Sequence, residues 1–435
     1  MNKTVYIAMS ADILHQGHLN IIHKGAELGD VIIGLLTDEV IATYKRMPIL
    51  SYDTRKAIFE SMKDVARVVC QDTLSYKKNL LELKPDYVLH GDDWKTGIQS
   101  MVREEVIATV ASYGGELVEV PYTHGVSGNE LDQRTRALLS TPEVRRGKLR
   151  ALLKLKPWVR VMEASNGLSG LICEHARVED QKTCTIREYD AMWVSSLCDS
   201  TFKGKPDIEL VDLTSRLNTI NEIMEVTTKP IILDGDTGGK IEHFVYNVRT
   251  LERLGVSAII IEDKTGLKQN SLFGTDAVQT LDDPHSFAHK IKCGKQALST
   301  RDFMVFARVE SLIAGKGVDD AMERAKIYLE EGGADGIMIH SKQKDGKEIF
   351  EFMKQFRAYT KDVPLILVPT SYNQFTEEEL ATAGANIIIY ANHLLRSAYP
   401  AMLETAETIL RFSRSKEVDD RCLSIKEVLR LIPQN

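Results

Sequence analysis

PIILDGDTGG, residues 230–239, is a short apolar run that ends in two acids and a pair of glycines. Branched apolar residues bounded by Asp and Gly read as a buried strand closing on a turn. Seven more runs of this kind lie beyond residue 157: WVRVMEA, AMWVSSL, AIIIED, MVFARV, GIMIH, LILVPTS and NIIIYA. Each is followed by a helical stretch. Eight strand–helix units in about 250 residues predict a (β/α)8 barrel, whose active site lies at the C-terminal ends of its strands.

The polar residues at those ends are therefore the first candidates. The second strand ends in Trp193-Val194-Ser195-Ser196-Leu197, with Asp207 in the loop beyond. The third supplies Asp234 and Asp236, and the fourth ends in Glu262-Asp263-Lys264 and leads into TGLKQNSLFG. Arg308 and Glu310 close the fifth, His340 the sixth, and Thr370-Ser371 the seventh. Acids on successive strands suit Mg2+, a hard cation that takes oxygen ligands directly or through its waters. Lys268, Asn270, Arg308 and His340 supply cations and donors that suit a phosphoryl group. An isolated acid at a strand end is commonly a cap or an ion pair. Carboxylates on three successive strands facing a basic arc favour a binding site.

The first 140 residues have another rhythm. TVYIAMS, DVIIGLLTD, ARVVCQD, DYVLHGDD and GELVEVPYT alternate with helical patterns, which predicts a Rossmann-like parallel sheet covered by helices. Residues 1–140 thus form one domain and residues 158–435 a barrel with C-terminal helices. Between them, residues 141–157 read as a linker helix packed between the domains, started by Pro142 and carrying Leu149, Leu152 and Leu153 on one face. Its basic residues could otherwise suit an acidic partner.

In the front domain, DILHQGHLNII (12–22) places His15 and His18 around Gly17 where the first strand turns into the first helix. Such a turn presents backbone N–H groups and a positive helix end to a ligand. The local pattern alone leaves a metal site, a packed pair and a phosphate clamp open.

Bulk properties bound these readings. Net charge is −7, with 43% hydrophobic and 27% charged residues, ordinary for a globular chain and unsuited to general nucleic-acid or membrane-surface binding. The N-terminus lacks a signal-peptide shape and no apolar run is long enough to span a bilayer. The six cysteines are scattered without a C-x-x-C pair, so reduced thiols and a cytoplasmic location are expected.

The motifs also carry two resemblances. EDKTGLKQNS (262–271), with LDGDTGG (233–239) before it, ARVESLIAG (307–315) after it, and EASNGLSG (163–170) and WVSSL (193–197) upstream, resembles phosphoenolpyruvate mutases of the isocitrate lyase superfamily. The resemblance spans roughly residues 145–400. It implies conversion of phosphoenolpyruvate to phosphonopyruvate. Asp234 would hold Mg2+ directly, and Asp207, Asp236 and Glu262 would hold it through water. Lys268, Asn270 and Ser271 would sit on a loop closing over substrate, and Arg308 and His340 would hold the moving phosphoryl group. Trp193, Ser195 and the backbone at Ser196-Leu197 would bind the substrate. Assembly through the barrel, as a dimer or tetramer exchanging a C-terminal helix, is implied as well. Isocitrate-type lyases carry K-K-C-G-H after the fourth strand, where this chain has KTGLKQNS. IKCGKQ (291–296) falls in the next helix, so Cys293 reads as structural. A phosphonopyruvate hydrolase shares the metal site and much of the loop and is the alternative.

DILHQGHLNII, YKRMPILSYDTRKAIFE (44–60) and VLHGDDWKTG (88–97), in this order, resemble the small cytidylyltransferases. The resemblance implies that His15 and His18 stabilise the α-phosphate of CTP while Lys45 neutralises phosphate charge. Asp12 would orient the motif or assist a metal, and Gly17, Asp93, Trp94 and Ser127 would line the nucleotide site. The usual R-T-x-G-I-S-T signature reads Tyr122-Thr123-His124-Gly125-Val126-Ser127-Gly128, which points to an altered acceptor pocket or to nucleotide binding without catalysis. The fusion resembles the bifunctional mutase–cytidylyltransferase of fosfomycin biosynthesis. It implies 2-hydroxyethylphosphonate or 2-aminoethylphosphonate as the acceptor of CMP.

Overall fold

The computed structural model describes residues 3–44, 47–95, 99–121, 135–180, 185–265 and 280–432. The front domain is a five-stranded parallel sheet of β1 (Thr4–Met9), β2 (Asp30–Leu36), β3 (Arg67–Gln71), β4 (Tyr87–Gly91) and β5 (Glu116–Val120). Their order is β3-β2-β1-β4-β5. β1 and β2 are buried on both faces, as near-continuous apolar strands under helices should be. Tyr6, Ala8, Ile32 and Leu36 pack on one side, and Val5, Ile7, Ile33 and Leu35 on the other. The strand order reverses between β1 and β4. A crevice at the C-terminal ends of the strands at such a switch point is where open α/β sheets bind ligands.

The second domain is a closed barrel of eight parallel strands. β6 (Val159–Glu163) comes first, followed by an antiparallel hairpin of β7 (Arg177–Asp180) and β8 (Thr185–Glu188) that stands outside the barrel. The remaining barrel strands are β9 (Ala191–Val194), β10 (Ile231–Asp234), β11 (Ala258–Glu262), β12 (Met304–Val309), β13 (Gly336–Ile339), β14 (Leu365–Leu367) and β15 (Ile387–Tyr390). All eight runs read from the sequence are barrel strands. The hairpin was not anticipated, because RVED and TIRE lack the apolar density that marks a core strand.

Side chains alternate with the strand period of two. Val159, Val161, Ile232, Ala258, Ile260, Met304, Phe306 and Met338 fill the interior, while Ile259, Ile261, Val305, Ala307 and Ile337 meet Phe244, Val248, Phe287 and Ile291 of the surrounding helices. Continuing the inward series toward the C-terminal ends gives Glu163, Ser195, Asp234, Glu262, Arg308 and His340. The same alternation that builds the core therefore turns polar in its last layer.

The helix Pro142–Leu155 plugs the opposite end. Leu149 and Leu152 belong to the interior cluster of the barrel, and the partly buried Met47 of the front domain packs against that cluster too. Three of its basic residues are satisfied within the chain. Arg145 donates to the Thr227 carbonyl at 2.7 Å, Arg146 to the Glu252 carbonyl at 2.9 Å and Lys148 to the Thr228 carbonyl at 2.7 Å. Cations thus meet the carbonyl ends of two barrel helices, where the helix dipole is negative. Packing within the chain accounts for these three cations.

Candidate active sites

A cleft of about 520 Å3, its open mouth included, lies at the C-terminal end of the barrel. Trp193, Ser195, Ser196, Leu197, Asp207, Asp234, Arg308 and His340 line it, together with Thr370 and Asn392. Residues from Trp193 to Asn392, 199 positions apart in the chain, are brought together because each ends, or follows, a barrel strand. Lys268, Asn270 and Ser271 lie outside the described residues.

The turn after β10 places two acids at the rim. Gly235 separates them, and a Cβ there would stand 2.9 Å from the Ile260 carbonyl oxygen, too close for any other residue without a shift. The Gly235 N–H donates to that oxygen at 2.7 Å. Asp234 Oδ2 accepts from both the backbone N–H (3.1 Å) and the hydroxyl (2.7 Å) of Ser196. The Ser196 N–H, expected to face the carboxylate end of a substrate, is thus engaged by Asp234 here.

Beside these acids is a buried quartet of alternating charge. Lys264 Nζ lies 3.3 Å from both Glu262 and Glu310. Arg308 lies 3.4 Å from Glu262 and 2.5 Å from Glu310. Burial opposes the charge of Arg308, but Glu310, Glu262 and Asp234 outweigh it and raise its pKa. The guanidinium is therefore fixed in place and permanently cationic. His340 is the reverse case. Burial, reinforced by Arg308, pushes its pKa down to about 3, so the ring is neutral at physiological pH. Its Nδ1 is buried with no hydrogen-bond partner among the described residues.

The donor set fits Mg2+. Asp207 and Asp234 line the cleft, Asp236 follows the end of β10 by two residues, and Glu262 ends the neighbouring β11. Among the described residues no three acidic, histidine or cysteine side chains converge into a ready-made cage. A cation that keeps several waters and takes few carboxylates needs none.

Arg216, which the sequence reading missed, is buried beneath this rim and donates to Asp236 Oδ2 at 3.0 Å. Its only sequence signal is a cation at an inward helical position between Thr219 and Ile220 on one side and Asp212 on the other. Lys264 and Glu310 were read as strand-end residues without a role. Cys293 lies in the helix Pro284–Gln296 and is not part of the cleft.

In the front domain His15 is the N-cap of the helix Gln16–Leu28. Its Nδ1 accepts from the Gly17 N–H at 3.1 Å, and His18 Nδ1 accepts from the His15 N–H at 3.3 Å. The ring centroids are 4.0 Å apart. With both Nδ1 atoms accepting, a neutral ring must carry its proton on Nε2. The capping box therefore sets both imidazoles as Nε2–H donors at a helix N-terminus, where an anion is favoured.

Asp12 Oδ1 accepts from the backbone of Ile49 (2.6 Å) and Leu50 (3.0 Å), so it ties the histidine turn to the segment after Lys45. Arg55, also missed from sequence, is 1% exposed and bonds the carbonyls of Ser10 and Leu36 and the Asp38 carboxylate. Trp94 is 1% exposed. Its indole is buried in the core, stacked 3.8 Å from His90, and donates to Glu119 at 2.9 Å. Lys45 and Ser127 lie outside the described residues, as does the Asp93 side chain.

A parallel barrel with acids, a fixed arginine and a neutral histidine at its C-terminal end defines an enzyme of small, anionic, oxygen-rich substrates. The chain belongs to the phosphoenolpyruvate phosphomutase family, which matches residues 149–410. Residues 10–147 match the cytidylyltransferase-like family. A phosphonopyruvate hydrolase of Variovorax sp. is 38% identical, over 65% of this chain and 93% of the relative. A phosphoenolpyruvate phosphomutase of Tetrahymena pyriformis is 35% identical, over 65% and 90%. Among solved structures, the phosphoenolpyruvate phosphomutase from Streptomyces platensis subsp. rosaceus aligns with a TM-score of 0.60 at 33% identity, covering 65% of this chain and 93% of that one. A phosphonopyruvate hydrolase complex with oxalate and Mg2+ aligns with a TM-score of 0.57 at 35% identity, covering 66% and 94%. The barrel is thus an enzyme of this family, joined to a nucleotidyltransferase-like domain.

Proposed function

We propose that the barrel interconverts phosphoenolpyruvate and 3-phosphonopyruvate. The observation that carries this reading is the polar inward layer, in which Arg308 and neutral His340 face the same cleft as Asp234. In the forward direction the P–O bond breaks and its electron pair stays on the enolate oxygen of pyruvate. C3 of the enolate then gives an electron pair to phosphorus, forming the C–P bond, and the C2 carbonyl returns. No proton or water enters the balance.

A loosely bound phosphoryl group in flight needs charge stabilisation on its equatorial oxygens. Arg308 supplies it from a position set by Glu262 and Glu310, and His340 donates a ring N–H without bringing a transferable charge. The Ser195–Leu197 turn orients the carboxylate end of the substrate. Lys268, Asn270 and Ser271 are assigned to a loop that keeps water out. Asp207, Asp234, Asp236 and Glu262 would hold Mg2+, which would supply positive charge against the oxygen-rich end of the substrate.

In the front domain we assign CMP transfer from CTP to 2-hydroxyethylphosphonate or 2-aminoethylphosphonate. A phosphonate oxygen attacks the α-phosphorus and pyrophosphate leaves, while the Nε2–H groups of His15 and His18 donate to the transition-state oxygens. Lys45 and Ser127 are assigned to the phosphates, Gly17 to close approach of the backbone and Asp93 to the nucleotide. Exposed Tyr399, Met402, Leu410, Ile425 and Leu429 on the C-terminal helices support assembly through the barrel. Free cysteines throughout the described residues suit a cytoplasmic enzyme, and no helix there is long and apolar enough to cross a membrane.

A specific observation favours the second reading, a phosphonopyruvate hydrolase: the 38% identity to such an enzyme. For the barrel, Arg308→Lys keeps a charge but loses the planar fork. It should lower kcat for phosphonopyruvate consumption roughly 10²–10³-fold, and an unchanged rate would remove Arg308 from the site. For the front domain, CTP, Mg2+ and 2-hydroxyethylphosphonate are followed by phosphorus NMR. Coupled resonances of a phosphonate–CMP anhydride with pyrophosphate support transfer. Intact CTP with both phosphonates would make this domain a binding module.

A further inference from the structure

Arg216, on the helix Leu213–Val226, is 4% exposed, and its guanidinium is shared by three segments that shape the barrel cleft. Nη1 donates to Asp236 Oδ2 at 3.0 Å. Nη2 donates to the Val194 carbonyl at 3.2 Å. Nε stands 3.8 Å from Asp199 Oδ2. Val194 ends β9 and leads directly into the Ser195–Leu197 turn, and Asp199 lies in the first turn of the helix Ser196–Phe202. Asp236 belongs to the turn after β10.

Two features separate this arrangement from an ordinary buried ion pair. Asp236 has a φ of +52°, in the left-handed region that residues with a Cβ adopt uncommonly, Asp more readily than most. Its own carbonyl accepts from the Glu262 N–H at 2.8 Å and its N–H donates toward Asp234 Oδ1 at 3.3 Å, so its backbone joins the acids of β10 and β11. Asp199, meanwhile, is already served by Lys203 and by the Thr219 hydroxyl at 2.7 Å. Neutralising Asp199 therefore does not require Arg216. What a planar fork does that Lys203 cannot is bond Asp236 and the β9 carbonyl together.

We propose that Arg216 is a positioning residue for cation binding in the barrel. It fixes Asp236 in its left-handed turn and sets that turn against the substrate-carboxylate turn, without touching cation or substrate. The proposal rests on the reading of Asp236 as part of the Mg2+ site. It assigns a role in cation affinity to a helix residue that no strand-end inventory includes.

The test is Mn2+ binding to the full-length protein without substrate, by titration calorimetry or electron paramagnetic resonance. The event followed is the one that Asp234→Ala abolishes. Arg216→Lys should weaken that event roughly tenfold or more, as removal of a residue supporting a metal ligand commonly does, with a melting temperature close to that of the parent. In an Asp236→Asn background, Arg216→Lys should add nothing, because its effect runs through Asp236. Arg216→Gln keeps an amide NH2 as donor and drops the charge. It replaces Arg216→Lys in both comparisons if the lysine variant does not fold. Unchanged Mn2+ affinity in a folded variant, or an additive loss on top of Asp236→Asn, would overturn the proposal. Should Asp234→Ala abolish no binding event, the metal reading itself fails and takes the proposal with it, an outcome recognisable before any Arg216 variant is made.

Discussion

His340 and Glu163 are both buried inward residues at strand ends, yet their protonation is driven in opposite senses. His340 is kept neutral by burial and by Arg308, with its pKa down to about 3. The unfolded chain binds this proton more readily, so the associated stability is present above about pH 6.5 and lost as pH falls toward 3. The expected pH profile of barrel kcat shows no imidazole step near 6.5, and a protonation step there that His340→Asn removes would contradict a neutral donor. Glu163 accepts from the Leu395 N–H at 2.7 Å at the start of the C-terminal helix, but burial pushes its pKa up to about 7. Its folded form favours the proton, so this contribution to stability is full below about pH 4.5 and lost as pH rises through 7. Glu163→Gln should flatten the stability curve between these values, read by thermal melts across pH; an unaltered curve would show the group titrates normally. At this scale the strand-end residues were legible, because a period of two from an apolar interior points straight to them. Arg216 and Arg55 were not. A buried arginine is marked by the carbonyls and carboxylates around it, which come from distant segments. Trp94 shows the converse, since an aromatic in a motif reads the same whether it stacks on a ligand or, as this indole does, on His90.

Among elements, the strands were legible and their accessories were not. All thirteen strands of the sheet and the barrel coincide with apolar runs read from the sequence. The β7–β8 hairpin is charged and half-exposed, and its pairing rests on backbone bonds that leave no apolar pattern. The helix Pro142–Leu155 was legible as a helix through its proline start and leucine face, but its destination required three dimensions. It seals the barrel floor, with Leu149 fully buried. Leu149→Ala should cost about 2–5 kcal/mol of barrel stability through lost burial and an unfilled cavity. Denaturant unfolding followed by tryptophan fluorescence in a Trp94→Phe background, where Trp158 and Trp193 of the barrel remain, checks this, and a loss under about 1 kcal/mol would mean that the floor closes up without the helix.

For the molecule as a whole, the two candidate sites are built from separate elements. The histidine turn belongs to the β1–β4 crevice, and the barrel cleft to strand ends on the side opposite the Pro142–Leu155 plug. Independent sites are expected. His18→Ala should abolish CMP transfer and spare the barrel reaction, and Arg308→Ala should do the reverse. Loss of both activities in either folded variant would show that the sites are coupled. Under the proposed function what joins them is chemical: one site would make a C–P bond, and the other would activate a compound that contains one. The most direct measurement starts from phosphonopyruvate and Mg2+ with the purified full-length protein and follows phosphorus NMR over time. Replacement of the phosphonate resonance by that of phosphoenolpyruvate is the predicted result. Inorganic phosphate appearing in its place, with a matching amount of pyruvate, would contradict the mutase and make the barrel a hydrolase.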